Sequence, residues 1–155
     1  MESNFETRQK FGKIAEKMFE VHCLINDYWY YNYGINKDIP TQVQKYVPEI
    51  VKKTPDYMMV SDDFHFVECK MADHITGEHV KIKEKDLQQY NSWSRASVFL
   101  FFIYNLKFNE SYFLELNDLH ELIANNNYKT DVYPNNQKRY IEIPMDDIRR
   151  LDGKV

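Results

Sequence analysis

Seven consecutive apolar residues, Val98 to Tyr104 (VFLFFIY), set the tightest limit on how this chain can fold. The run is rich in aromatic and β-prone side chains and shows no polar alternation, so the strand it predicts is covered on both faces. Such a strand sits in the middle of a sheet, with further elements packed above and below. Immediately before it, residues 83–96 (KEKDLQQYNSWSRA) have helical character. A helix running straight into a doubly buried strand points to a mixed α/β layer arrangement.

The rest of the chain can be read around that centre. Phe11, Ile14, Ala15, Met18, Val21, His22 and Ile25 recur at helical spacing and predict a helix over residues 5–25, capped by Ser3 or Asn4. A Tyr-rich stretch from Asp27 to Tyr33, ending at Gly34, predicts a first strand. Residues 41–53 read either as a short helix or as a loop broken at Pro48. Two strand-like runs follow, Tyr57 to Val60 and Phe64 to Lys70, joined by Ser61-Asp62-Asp63, which together predict a β-hairpin with a tight polar turn. Residues 73–81, containing Gly77, read as a loop. Beyond the buried run, Tyr112 to Leu116 predicts a strand, Asn117 to Ala124 a helix capped by Asn117 or Asp118, and Arg139 to Ile143 a last strand. The expectation is a single domain over residues 1–155, a mixed sheet sandwiched by helices, with no repeat and no linker to divide it.

Charge and cysteine content narrow the function. The formal net charge of -4 counts against indiscriminate, charge-driven binding to nucleic acid. Two cysteines, Cys23 and Cys69, make neither a disulfide framework nor a Cys-rich zinc site. The opening MESNFETRQK lacks a basic-then-apolar signal pattern, and a seven-residue apolar run is too short to span a bilayer, so the expected location is the cytoplasm.

The candidate chemistry lies in the hairpin. Acid-x-Lys triplets arise easily by chance, and two occur here, Glu68-Cys69-Lys70 and Asp152-Gly153-Lys154. The second lies in a polar tail; the first ends a strand whose hairpin partner begins just after Asp56. Alternation puts Glu68 and Lys70 on one face and Cys69 on the other. The hairpin returns the chain so that Asp56 and Glu68, eleven residues apart, converge beside the Lys70 ammonium. Two carboxylates at a half-buried sheet edge are costly unless something offsets them, and a divalent cation does so. Mg²⁺ takes one or two carboxylates plus water and phosphate oxygens, which suits this small acidic set.

Pro55-Asp56 followed by Glu68-Cys69-Lys70 resembles the signature of the PD-(D/E)xK nuclease superfamily, which includes restriction endonucleases and Holliday-junction resolvases. The resemblance covers roughly residues 8–104 and implies a restriction endonuclease-like core in the order α-β-β-β-α-β. It implies hydrolysis of phosphodiester bonds, more in keeping with DNA, with Mg²⁺ or Mn²⁺ as cofactor. Asp56 and Glu68 would bind the metal together with the backbone carbonyl of Cys69, and Lys70 would handle the attacking water or the phosphate. The resemblance further implies an acid from the upstream helix, for which Glu16 at the edge of the apolar face fits better than Glu20, placed opposite the core. It also implies a polar residue from the downstream helix, for which Gln89, on a flank with Asp86 and Trp93, is the choice. One site cuts one strand, so cleavage of both strands calls for a homodimer.

Plainer readings stand beside these. Asp56, Glu68 and Lys70 could be a hairpin with a surface ion pair, Glu16 a solvated helix charge and Gln89 a surface glutamine. His22 reads as a satisfied structural histidine, and the Cys69 side chain as a small core residue. Lys52, Lys53, Lys81, Lys83 and Lys85 form a basic concentration near the hairpin that could touch phosphates. The run Tyr28 to Tyr33 reads as core plus interface. Two other function classes remain open: a nuclease-fold protein that binds without cutting, and an α/β interaction module with no nucleic-acid role.

Overall fold

A computed structural model describes residues 4–34, 40–151 and 153–155. In chain order its first elements are α1 (Asn4–Ile25), β1 (Trp29–Asn32), the one-turn helices α2 (Thr41–Gln44) and α3 (Glu49–Lys52), β2 (Tyr57–Val60), β3 (Phe64–Met71) and β4 (His79–Lys83). There follow α4 (Glu84–Ser94), β5 (Val98–Asn105), β6 (Glu110–Glu115), α5 (Leu116–Asn125), β7 (Thr130–Val132), β8 (Arg139–Pro144) and α6 (Met145–Arg149). Five strands form one sheet in the order β1-β2-β3-β5-β6, and three form a smaller one, β4-β8-β7. Among the described residues no helix is long and apolar enough to cross a membrane.

The doubly apolar run is β5, parallel to β3 and antiparallel to β6. Its alternate side chains serve two cores. Leu100, Phe102 and Tyr104 meet Ala15, Phe19 and Cys23 of α1, while Phe99, Phe101 and Ile103 meet the layer containing Tyr90 of α4 and Leu119 of α5. Val80 and Ile82 of β4 and Ile141 and Ile143 of β8 join that second core, so the small sheet packs on the α4–α5 side. Each fully buried large apolar side chain contributes roughly 1.5–3 kcal/mol. With apolar contacts on both faces, β5 holds the two layers together, and the mixed sheet flanked by helices expected from the sequence is found.

Several expectations are corrected. The loop expected over 73–81 ends early, because β4 begins at His79 and pairs with β8. Its HVKIK alternation offers only two inward apolar side chains, Val80 and Ile82, which is too short a pattern to read without its partner. The turn before it is built by Asp73, whose carboxylate accepts bonds from the Thr76 N–H and hydroxyl, both at 2.8 Å. Gly77 has φ +67°, and a Cβ there would stand 2.8 Å from Asn105 Oδ1, so the position requires glycine. Helix α5 begins one residue earlier than predicted, with Glu115 at its N-cap and no side-chain cap bond, so neither Asn117 nor Asp118 caps it. The tail around Gly153 is not loose: Phe113 N–H donates to Gly153 O at 2.9 Å and Val155 N–H to Ser111 O at 3.0 Å, laying the tail along the outer edge of β6. In the Tyr-rich run, Tyr28 and Tyr30 pack on the α1 core and Tyr33 on the other, while Trp29 and Tyr31 are exposed. Ser3, one of the two predicted caps of α1, lies outside the described residues.

Candidate active site

The β2–β3 hairpin turns at Ser61–Asp63, closed by Ser61 N–H to Asp63 O at 3.1 Å, and its ladder runs from Val60↔Phe64 to Tyr57↔Val67. One residue before the ladder's open end stands Asp56. Its backbone carbonyl accepts from Tyr33 N–H at 2.8 Å and Gly34 N–H at 3.1 Å, tying it to the end of β1. Its carboxylate crosses to β3, where Oδ2 accepts from Cys69 N–H at 2.8 Å. The side chain thus replaces the backbone partner that β3 would otherwise lack past Val67. In an extended strand the N–H and C=O of one residue point to the same side. The Cys69 carbonyl therefore opens into the same gap as the Asp56 carboxylate.

Glu68 and Lys70 share the other face of β3, as alternation requires, and Lys70 Nζ donates to Glu68 Oε1 at 2.9 Å. Directly above them is Tyr90 of α4, whose hydroxyl donates to the same Glu68 Oε1 at 3.0 Å and accepts from Lys70 Nζ at 3.4 Å. Its ring is fixed between Phe99 and Phe101, at centroid distances of 4.9 and 5.4 Å. One carboxylate oxygen thereby holds two donors. Glu68 Oε2 and Asp56 Oδ1 accept no hydrogen bond among the described residues.

These charges sit against an apolar layer and perturb one another. Burial, and then the Glu68 charge, push the Asp56 carboxyl up to about 8; the Cys69 N–H and Lys70 oppose this, and Glu16 adds to it. Burial works against the Lys70 ammonium, yet Glu68, Tyr90 and Asp56 together hold its pKa well above the ordinary lysine range. Burial and the Glu68 charge keep the Tyr90 hydroxyl protonated. The Cys69 thiol, buried beside Asp56 and Glu68, is likewise held protonated and offers no thiolate ligand.

Among the described residues no three His, Cys, Asp or Glu side chains form a complete metal cage. A cation that keeps most of its water needs less. Two carboxylates with an uncommitted oxygen each, and a backbone carbonyl on the Asp56 side of β3, fit the requirement of Mg²⁺ or Mn²⁺ for hard oxygen donors. The upward push on Asp56 is first the cost of burying a carboxylate and then that of the Glu68 charge beside it, and a bound cation would offset both.

Of the flanking residues, Glu16 lies on α1 close enough for its charge to act on Asp56, Tyr57 and Cys69. Glu20 is not opposite the core. It accepts a 2.7 Å bond from the Tyr57 hydroxyl, because Ala15, Phe19 and Cys23 form the buried stripe and Glu16 and Glu20 both lie one residue on, along the same shoulder. Gln89 is partly exposed and makes no hydrogen bond to Asp56, Glu68 or Lys70. On its flank Asp86 pairs with Lys53 at 3.1 Å, and Trp93 Nε1 donates to Ile50 O at 3.1 Å. Tyr90, one position on, is the α4 residue that reaches the acids. Its signal in the sequence is a tyrosine on the buried stripe of a polar helix, whose hydroxyl must find a partner inside. His22 is half satisfied: Nδ1 lies 3.3 Å from Asn26 Nδ2, while the buried Nε2 has no partner among the described residues. The predicted lysine cluster also divides. Lys52 and Lys85 lie beside Glu49 and Lys53 beside Asp86, whereas Lys81 and Lys83 make no salt bridge among the described residues.

No family model matches the chain, and no curated protein matches its sequence. Among solved structures, its fold is similar to that of Hjc, a Holliday junction resolvase from the archaeal hyperthermophile Archaeoglobus fulgidus. The TM-score is 0.55 at 8% identity, covering 93% of this chain and 89% of that one. It is also similar to D212, a nuclease from a fusselovirus, with a TM-score of 0.52 at 11% identity, covering 95% of this chain and 87% of that one. At such identities the likeness is one of fold: the mixed sheet flanked by helices is shared with two nucleases.

Proposed function

We propose that this chain is a single-domain, metal-dependent nuclease of the PD-(D/E)xK kind that hydrolyses phosphodiester bonds, with DNA as its substrate. The observation that carries the reading is the convergence, at the open end of one hairpin, of Asp56, Glu68 and the Lys70 ammonium, with Glu68 held by Tyr90. The similarity of the fold to two nucleases supports it.

Asp56, Glu68 and the Cys69 carbonyl would hold Mg²⁺ or Mn²⁺, which when bound neutralises charge on the phosphate and acidifies an attacking water. The protein's own groups then have distinct tasks. Lys70 stays an ammonium throughout the neutral range, so it donates hydrogen bonds to the attacking water or to a phosphate oxygen and does not take a proton. Tyr90 and Lys70 both occupy Glu68 Oε1 and leave Oε2 without a hydrogen bond among the described residues, so that oxygen would serve the metal. Glu16 completes the acidic set from α1. A lone domain with one such site cuts one strand, and a homodimer would cut two.

The test is cleavage of circular single-stranded and supercoiled double-stranded DNA with Mg²⁺ or Mn²⁺, beside Lys70→Ala and a metal-free control. The expected result is metal-dependent nicking that falls by roughly 100-fold or more in the variant, the usual loss when one preorganised donor is removed. Intact circles with both proteins, followed by no cleavage of linear DNA or RNA, would leave a nuclease fold that binds without cutting.

A further inference from the structure

Beside Lys70, and lined by it and Cys69, lies a cleft of about 510 Å³ whose other walls the cleavage chemistry above does not use. One wall is the end of β3, another the first turns of α1 with Arg8 and Phe11, and the far wall is the small sheet with Lys81, Lys83, Tyr133 and Tyr140. Its charge is opposite to that of the whole protein. Arg8, Lys81 and Lys83 make no salt bridge among the described residues. They rest on aromatic rings: Arg8 lies 4.8 Å from the Tyr133 centroid, Lys81 4.6 Å from that of Tyr140, and Lys83 5.8 Å from that of Tyr133.

The nearby acids are already engaged. Asp73, which lines the cleft, is bound by the Thr76 turn. Glu142, opposite Lys81 in register, lies 3.9 Å from His79 and 4.0 Å from Lys129. Burial, together with Lys53, Lys70 and Lys138, lowers the Lys83 pKa against the pull of Asp86, so positive charge is crowded here. Cations left on π faces exchange weak contacts for strong ones when an oxyanion arrives. In a chain of net charge -4, cations and aromatic rings gathered in one cleft offer the contacts that an anion with a flat ring would use.

We propose that this cleft receives the single-stranded segment next to the scissile phosphate, with Arg8, Lys81 and Lys83 on its phosphates and an unstacked base against Tyr133. The proposal rests on the nuclease reading for its position relative to the bond that is cut. The ring decides for a single strand over a duplex. Tyr133 is only partly exposed, with Tyr140 against it at 4.5 Å and Arg8 over its ring. A base can therefore meet it only by displacing Arg8 and after leaving its own stack, which is free in a single strand and costly in a helix. The cleft has the volume of a small-molecule pocket, suited to a nucleotide or two.

The test is binding by fluorescence anisotropy, in EDTA and in Ca²⁺, of a labelled 12-mer as single-stranded DNA, single-stranded RNA and blunt duplex. Wild type is compared with Tyr133→Leu, Tyr133→Phe and the double variant Lys81→Ala/Lys83→Ala. At least one single strand should bind tenfold or more tightly than the duplex. Tyr133→Leu should weaken that binding about tenfold while Tyr133→Phe retains it. The double lysine variant should flatten the salt dependence by about 0.7 per lysine removed. Equal binding of duplex and single strand, or indifference to Tyr133→Leu, overturns the proposal. The two readings fail separately. Metal-dependent nicking lost in Lys70→Ala, with Tyr133→Leu binding normally, removes the cleft and keeps the nuclease; Tyr133-dependent binding without cleavage under any metal does the reverse.

Discussion

The carboxyl of Asp56 gives the most quantitative handle on the site. Burial, and then the neighbouring Glu68 charge, raise its pKa from the ordinary 3.8 to about 8. The folded state therefore keeps a proton there that the unfolded state has already lost. The sign follows: between about pH 4 and pH 8 the unfolded chain binds fewer protons, so stability falls as pH rises, by about 1.4 kcal/mol per pH unit from this group. Asp56→Asn keeps an oxygen to accept from Cys69 N–H but cannot titrate. Between pH 5 and pH 8 the wild type should lose on the order of 4 kcal/mol relative to the variant. In a domain of this size that is a difference in Tm of roughly 10 °C. Urea unfolding or thermal melts of both proteins in EDTA at half-unit pH steps would measure it. Under the proposed function Mg²⁺ would bind the ionised form, so it should restore the wild type most at pH 8 and leave Asp56→Asn unmoved. Parallel stability curves for the two proteins from pH 5 to pH 8 would refute the reasoning, since Asp56 would then be ionised throughout.

Two further outcomes follow from the neighbours of the acids. Tyr90→Phe leaves the ring between Phe99 and Phe101 but removes the hydroxyl from Glu68, so it should cost about 1–2 kcal/mol in urea unfolding and lower the cleavage rate about tenfold with little change in KM. Glu16→Gln should lower the amount of Asp56 held protonated and weaken Mn²⁺ binding severalfold in a calorimetric titration, whereas Glu20→Gln, which retains an acceptor for the Tyr57 hydroxyl, should leave the metal affinity near wild type.

What could be read from the sequence follows how local the signal is. The β5 run and the β2–β3 hairpin carry their patterns within eight residues or fewer per strand, and both lie where the pattern puts them. The hairpin alone brings Asp56 to Cys69, so the centre of the candidate site was legible from spacing and alternation. The small sheet was not. Thr130–Val132 has no buried residue, and β4 buries only Val80 and Ile82, so each strand is defined by its partner and not by its own letters. The same holds for the lysines. Lys53 and Lys81 look alike in sequence, and only the fold sets one against Asp86 and the other over Tyr140. On α4, one step of the helix separates Gln89 from Tyr90. Gln89 is the more polar letter, while Tyr90 is the buried one whose hydroxyl must find a partner inside. On α1 the difference is angular: measured from the Ala15, Phe19 and Cys23 stripe, Glu20 falls on the same shoulder as Glu16.

The bond from Cys69 N–H to Asp56 has a consequence for how such a sequence can drift. Position 69 serves the site only through its main chain, while its side chain answers to Ala15 and Phe19 beneath α1. The two obligations are independent. Any residue of suitable volume satisfies the helix, and only proline, which lacks the donor, would fail the carboxylate. The middle letter of the triplet is therefore governed by core volume, and the chemistry on either side of it places no demand on which letter that is.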